Sequence, residues 1–185
     1  APLLFTHTGF SGPAVLRASA WGARVLAECN YECLMEVNFT ANLTEALSYD
    51  ETLSVLQEFK QHNGRKAMQS FSLFELPKRL WSVLLENAGI SPEQVWAELN
   101  KPQLRRLAEA LTQYRFPIEG KATFKEEFVT AGGVKLSEIN FKTYESKLYP
   151  QLYLAGEVLD IDAITGGFNF QNAWTGGYII AESIQ

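Results

Sequence analysis

Only two cysteines, two histidines and two methionines occur among 185 residues, and these shortages exclude several classes of protein. Cys29 and Cys33 have no histidine behind them at zinc-ligand spacing, so no metal site is expected. They read instead as reduced thiols of a cytoplasmic protein. Basic residues are also scarce: 16 Lys and Arg stand against 21 Asp and Glu, a net charge of -5. A chain built mainly to bind nucleic acid usually carries a basic stripe, so no nucleic-acid partner is expected. No apolar run reaches the roughly 18 residues of a membrane span, and no signal peptide is visible. Nor does Gly-x-Gly-x-x-Gly occur anywhere, so the loop that cradles a dinucleotide's pyrophosphate is not in these residues. What is present, 46% apolar and 20% charged residues, is ordinary for a soluble globular protein of one sizeable or two small domains. The chain opens on Ala1-Pro2-Leu3-Leu4-Phe5, apolar and without an initiator Met, and reads as a piece cut from a longer chain.

Along the chain the character changes three times. Residues 1–41 read as mixed α/β. Ser11-Gly12-Pro13 is a helix start, with Pro where its missing N–H costs nothing, and Gly22 is the expected stop. Cys33, Met35, Val37 and Phe39 then alternate with Glu32, Leu34, Glu36 and Asn38, the period of a half-buried strand. Residues 42–116 read as about four helices. Ser48-Tyr49-Asp50-Glu51 and Ser91-Pro92-Glu93-Gln94 both fit capping boxes, and Leu73, Leu76, Leu80 and Leu84 recur at helical spacing. Trp81 and Trp96 fall on these stripes and are expected in a core. Residues 117–150 return to strand-like sequence, with Phe124, Phe128 and Val129 in a β-prone run that Gly132-Gly133 breaks.

The last segment, 151–185, is the most specific. Leu152-Tyr153-Leu154-Ala155 suits a strand buried on both faces, and Gly156 lets backbone approach a ligand with no Cβ in the way. Glu157 follows, where ligands bind in open α/β sheets, and Asp160 and Asp162 add carboxylates that can accept from sugar hydroxyls. Gly166-Gly167 leads through Phe168 to a helix start near Asn169, whose free N–H groups favour an electron-rich edge. Gly176-Gly177 inside that helix costs about 0.8–1 kcal/mol per residue relative to Ala, which predicts close approach by another backbone or a ligand. The plain alternative is a Gly-rich turn with solvated acids. The acids have no further ligands elsewhere in the chain, so a metal ranks low.

Three segments carry a family resemblance. Thr6-His7-Thr8-Gly9-Phe10-Ser11-Gly12-Pro13 looks like a Thr-His-x-Gly-x-Ser-Gly-Pro motif; Val129-Thr130-Ala131-Gly132-Gly133-Val134, with Glu145-Ser146-Lys147 after it, is a second; and Gly156–Asp160 with Gly166–Gln171 is a third. In this order they resemble the bacterial NAD(P)/FAD-dependent oxidoreductases, also described as NAD(FAD)-utilising dehydrogenases or BaiN-like proteins. The resemblance implies a multi-part α+β chain covering the C-terminal half of such a protein. It places residues 1–41 at the end of a β-rich insert subdomain, 42–116 in a helical insert subdomain and 117–150 in a β-rich segment returning to the FAD domain. Residues 151–185 become the strand, loop and helix that close a Rossmann-like FAD-binding domain.

The activity so implied is that of an FAD-dependent oxidoreductase with NAD(P)H as an electron donor. Its cofactor contacts would be Gly156, Glu157, Asp160, Asp162, Gly166, Gly167, Phe168, Asn169 and Gln171. Glu157 would accept from ribityl hydroxyls, Gly166–Asn169 would face the isoalloxazine, and Gln171 is a weaker contact. The main partner would be the FAD-binding half that precedes these residues, and without its pyrophosphate loop the chain alone is expected to hold FAD weakly. His7 is the candidate acid or base, weighed against a structural histidine, while His62 beside Asn63-Gly64 reads as a dipole partner at a helix end. A non-catalytic helical module for self-association or partner binding is the alternative. The residues name no small-molecule substrate.

Overall fold

The computed structural model describes residues 1–41, 45–121 and 129–184. Contacts divide the chain into two compact units, Leu34–Ile118 and Ala1–Cys33 with Glu119–Gln185. Phe124 and Phe128 of the expected strand run lie outside the described residues.

The two-stranded antiparallel hairpin of β1 (Leu4–Thr6) and β2 (Gly9–Ser11) opens the second of these units, with Phe5 opposite Phe10 and their rings edge to face at 5.3 Å. Helix α1 (Pro13–Glu28) starts with Pro in its first turn but does not stop at Gly22. It ends at Cys29–Tyr31, where Asn30 and Tyr31 turn left-handed (φ 53° and 60°) and the Tyr31 N–H donates to Leu26 O at 2.7 Å. Glycine within a helix is only a modest cost, and no second signal stands beside Gly22 to end it.

In the helical unit, β3 (Glu32–Val37) pairs with β4 (Tyr114–Glu119). Three helices follow β3: α2 (Tyr49–Asn63), α3 (Lys78–Asn87) and α4 (Lys101–Thr112). The first capping box forms as its residues suggest: Ser48 Oγ accepts from the Glu51 N–H, and the Glu51 carboxylate accepts from the Ser48 N–H at 2.8 Å. Hydrogen bonds from Ser48 hold the Glu51 carboxyl below its ordinary value.

The box expected at Ser91–Gln94 does not form. The Pro92 and Gln94 carbonyls accept from the Gln69 and Met68 N–H groups at 3.0 and 2.9 Å, so they serve a bridge to the preceding turn instead of a helix. Ser91 donates to the Glu93 carboxylate at 2.6 Å, which lowers that carboxyl's pKa. The helix waits for Asn100, whose side chain and that of Gln103 make the box that does form. The leucine repeat from Leu73 is likewise interrupted. Phe74 and Glu75 are left-handed (φ 57° and 56°), and Pro77 holds Leu76 extended, so α3 begins only at Lys78.

This unit closes a core over Leu56, Met68, Leu84, Leu99, Leu107 and Leu111, all essentially inaccessible, with both Trp81 and Trp96 inside it. The Trp81 indole N–H donates to Met68 O at 2.8 Å, and Trp96 lies 4.8 Å from Phe59.

The remaining elements are the short antiparallel pair β5 (Ile139–Asn140) and β6 (Glu145–Ser146), and helix α5 (Phe168–Ser183). Their core is small: Ile139, Tyr144 and Leu159 are buried, flanked by Leu154, Ile179 and Ile180.

Candidate functional site

Two of the motif segments meet in space. The Val134 N–H donates to Val158 O at 2.8 Å, and the Asp160 N–H donates to Val134 O at 3.0 Å, a single parallel bridge between Val134 and Leu159. Gly133 makes the approach feasible: a Cβ there would stand 2.6 Å from the Val158 carbonyl oxygen and from the Leu159 backbone. This bridge pairs the two segments in parallel. The strand expected at Leu152–Ala155 is corrected: Tyr153 makes an isolated antiparallel bridge with Glu145, Leu154 donates to Tyr144 O at 3.0 Å, and a short 3-10 turn covers Gly156–Val158. An extended segment becomes a sheet strand only beside a neighbour, and the described residues supply no parallel neighbour for it.

Gly156 is left-handed (φ 78°) and sits beneath Ala173 of α5. Glu157 is exposed and, among the described residues, has no partner for its carboxylate. Asp160 is engaged: the Arg24 guanidinium of α1 lies 2.6 Å from its Oδ1. Asp162 is half-buried. Asn169 folds back on the loop before it, with Oδ1 accepting from the Ala163 N–H and Nδ2 donating to Ala163 O, both at 2.9 Å. Its side chain therefore ties the loop together.

Gly166 and Gly167 are exposed at φ 134° and 89°, and the left-handed Gly167 caps α5 with no side-chain bond to the helix's first N–H groups. Among the described residues, and its own chain neighbours apart, no atom lies within 4 Å of where a Gly167 Cβ would be. The first turn of α5 thus presents unpaired donors and the positive end of a helix dipole beside an open backbone. Phe168 and Gln171 are exposed, and Gln171 Nε2 donates to Thr175 Oγ1 at 3.2 Å.

The glycine pair in α5 divides in role. A Cβ on Gly176 would stand 2.8 Å from both Ala155 Cβ and Tyr144 Cε1, so this glycine serves packing against the loop. Gly177 faces open space, in line with Phe170, Trp174 and Tyr178, which are 68%, 71% and 67% exposed. Phe170 and Trp174 stack at 6.2 Å.

His7 sits in the turn between β1 and β2, exposed, with no hydrogen-bond partner among the described residues. His62 lies in the last turn of α2, its Nδ1 2.9 Å from Glu58 O. Cys29 and Cys33 are free and half-buried. Sequence reasoning missed Arg24 and Tyr144. Neither stands out locally; Arg24 acquires its meaning from a carboxylate 136 residues away.

Two-stranded sheets, five helices among the described residues and a Gly-rich loop feeding a helix N-terminus define a mixed α/β protein with an anion-favouring helix end. A family model described as "HI0933-like protein barrel and H2TH domain" matches residues 1–129, and the chain belongs to the HI0933-like family. Among curated relatives, "Ribosomal RNA dihydrouridine synthase" of Haemophilus influenzae is 32% identical over 182 residues, 98% of this chain and 42% of that protein. The protein of the same description from Escherichia coli is 32% identical over 183 residues, with the same coverage. "3-dehydro-bile acid delta(4,6)-reductase" of Clostridium scindens is 33% identical over 177 residues, 94% of this chain and 41% of that protein. The chain spans about two fifths of the length of these relatives.

Proposed function

We propose that the complete protein is an FAD-dependent reductase, and that Gly156 to Gln171 with the N-terminus of α5 form one wall of its flavin site. The observation that carries this reading is the start of α5: an uncapped helix N-terminus behind a left-handed, unobstructed Gly167, with the unpartnered carboxylate of Glu157 on the neighbouring turn. These residues fit the group. The N–H groups at Phe168 and Asn169 favour the electron-rich carbonyl edge of a reduced flavin. Glu157 accepts from ribityl hydroxyls, while Gly156, Gly166 and Gly167 keep side chains out of its plane. Asp160 acts through Arg24, holding α1 to the loop, and Asp162, Phe168 and Gln171 line the approach. Bound FAD supplies electron transfer, with NAD(P)H as donor.

The relatives' names agree on chemistry more than on substrate. A dihydrouridine is a uridine whose ring double bond has been reduced, and a delta(4,6)-reductase also saturates carbon–carbon double bonds. Reduction of a conjugated double bond is therefore the reaction we assign. Of the two substrate classes so named we take RNA, which departs from the expectation drawn from net charge. The test is Gly167→Val in the complete protein. Flavin bound per chain should fall, because the new side chain fills space the isoalloxazine needs. Unchanged flavin content and unchanged turnover would remove this loop from the site.

A further inference from the structure

The net charge of -5 conceals a segregation. Residues 34–59 carry five acids and no base, whereas residues 60–106 carry eight bases and four acids. Three of those bases, Lys60, Lys101 and Arg105, lie where α2 packs along α4. The Lys60 ammonium of α2 donates to Leu99 O at 2.6 Å, just before α4 begins. Gly64 O and Lys66 O accept from the Ala97 and Trp96 N–H groups at 2.9 and 3.1 Å. The C-terminal part of α2 is thus fastened along the approach to α4. Beside it, Leu53, Gln57, Lys101, Leu104 and Arg105 line a cleft of about 170 Å³. Its floor is leucine, and its rim is a lysine and an arginine one helical turn apart. Both rim residues are exposed, and among the described residues neither has an ionic partner. Glu109, the one acid of α4, stands a turn beyond Arg105 and is not paired with it.

We propose that this cleft between α2 and α4 binds the phosphodiester backbone of an RNA strand, with Lys101 and Arg105 on neighbouring phosphates and Gln57 on a sugar or base edge. The proposal rests on the RNA reading given above and deepens it by naming the surface. Charge complementarity selects the occupant. Unpaired cations at helical spacing suit a polyanion that presents a charge at every nucleotide, and the leucine floor suits the apolar face of a sugar or base. A small apolar substrate would use the floor and leave the rim idle.

The experiment is a salt titration of the complete, flavin-loaded protein with deproteinised ribosomal RNA as the probe. Each lost contact to a single strand lowers the slope of log affinity against log salt by about 0.7. Lys101→Ala combined with Arg105→Ala should therefore flatten the slope by about 1.4 and weaken binding roughly 25-fold at 0.1 M salt. Lys101→Arg should retain the slope. Arg115→Ala removes one positive charge from a residue already paired with Glu36 and should also leave the slope in place. Melting temperature and flavin per chain confirm that the variants are folded. If wild type binds RNA and the double variant binds it with the same slope, the surface is wrong. A flavin-loaded wild type that binds no RNA overturns both the RNA reading and this proposal while leaving the reductase standing. A complete protein without flavin sinks the reductase reading, and the salt slope still decides the cleft.

Discussion

The helical unit and the remainder of the chain use similar lengths of sequence to different ends. Residues 34–118 bury both of their tryptophans and a continuous set of leucines. Among the described residues, the other unit buries only Ile139, Tyr144 and Leu159 of its large apolar side chains, and leaves Trp21, Phe170, Trp174 and Tyr178 at least two-thirds exposed. Helix α1 has no buried residue along its 16 positions, and α5 buries only Gly176. Burial of apolar area is the main favourable term in folding, so the described core of the helical unit contributes the larger share of it. The contrast teaches where to look for each role. The closed unit fills a core of its own, and in the proposed flavin site the other unit supplies one wall, beside the exposed aromatic row of α5.

The sharpest way to break this contrast is FAD itself. The open unit has no pyrophosphate loop, and losing two charge-assisted contacts of that kind costs roughly 3–6 kcal/mol. Titrated by flavin fluorescence, the 185-residue chain should bind FAD at least about a hundredfold more weakly than the complete protein. Equal affinity would mean that the described loop needs no other half.

Next in size is the core of the closed unit. Trp81→Ala removes a fully packed indole and its bond to Met68 O, and should cost about 3–5 kcal/mol in urea unfolding. A loss well under 1 kcal/mol would show that this core is not what holds the unit together. Within α5, Gly176→Val should destabilise by about 1–3 kcal/mol, because its Cβ would meet Ala155 and Tyr144. Gly177→Ala, in open space, should be neutral or should stabilise by up to about 1 kcal/mol. Equal effects from the two would erase the distinction between a packed and an open face.

The smallest expected effects are at the caps. Asn100→Ala should cost about 1 kcal/mol in the melting of the helical unit. Glu51 has a depressed pKa, so the stability it contributes is present above its unfolded value near 4.5 and fades as pH falls through the lower folded value. Ser48→Ala should reduce that acid sensitivity in a series of melts between pH 6 and about pH 3. An unchanged pH profile would show that the box does not tune this carboxyl.

How much could be read in advance follows from how local each determinant is. The Ser48 box, the buried tryptophans, the strand alternation after Cys33 and the helix after Gly167 are specified by neighbours within a turn or two, and all are present. The Ser91 box carried the same local signal and failed, because Pro92 and Gln94 give their carbonyls to residues 69 and 68. The strand at 152–155 failed because pairing is a property of two segments, and a sequence run shows only one. At the candidate site, the glycines and Glu157 announced themselves through motif and spacing. The Arg24–Asp160 pair and the need for a bare Cα at Gly133 did not, since each exists only once distant segments are brought together.

The two hydrogen bonds between Asn169 and Ala163 close the loop that leads into α5. A segment tethered in this way loses its conformational freedom when the chain folds, not when a ligand arrives. Any molecule that settles against Gly166 and Gly167 therefore meets a surface whose shape is already set. For an Asn169→Leu variant, calorimetry on the complete protein would show this as a less favourable entropy of association. The loop would then have to be ordered by the ligand, one encounter at a time.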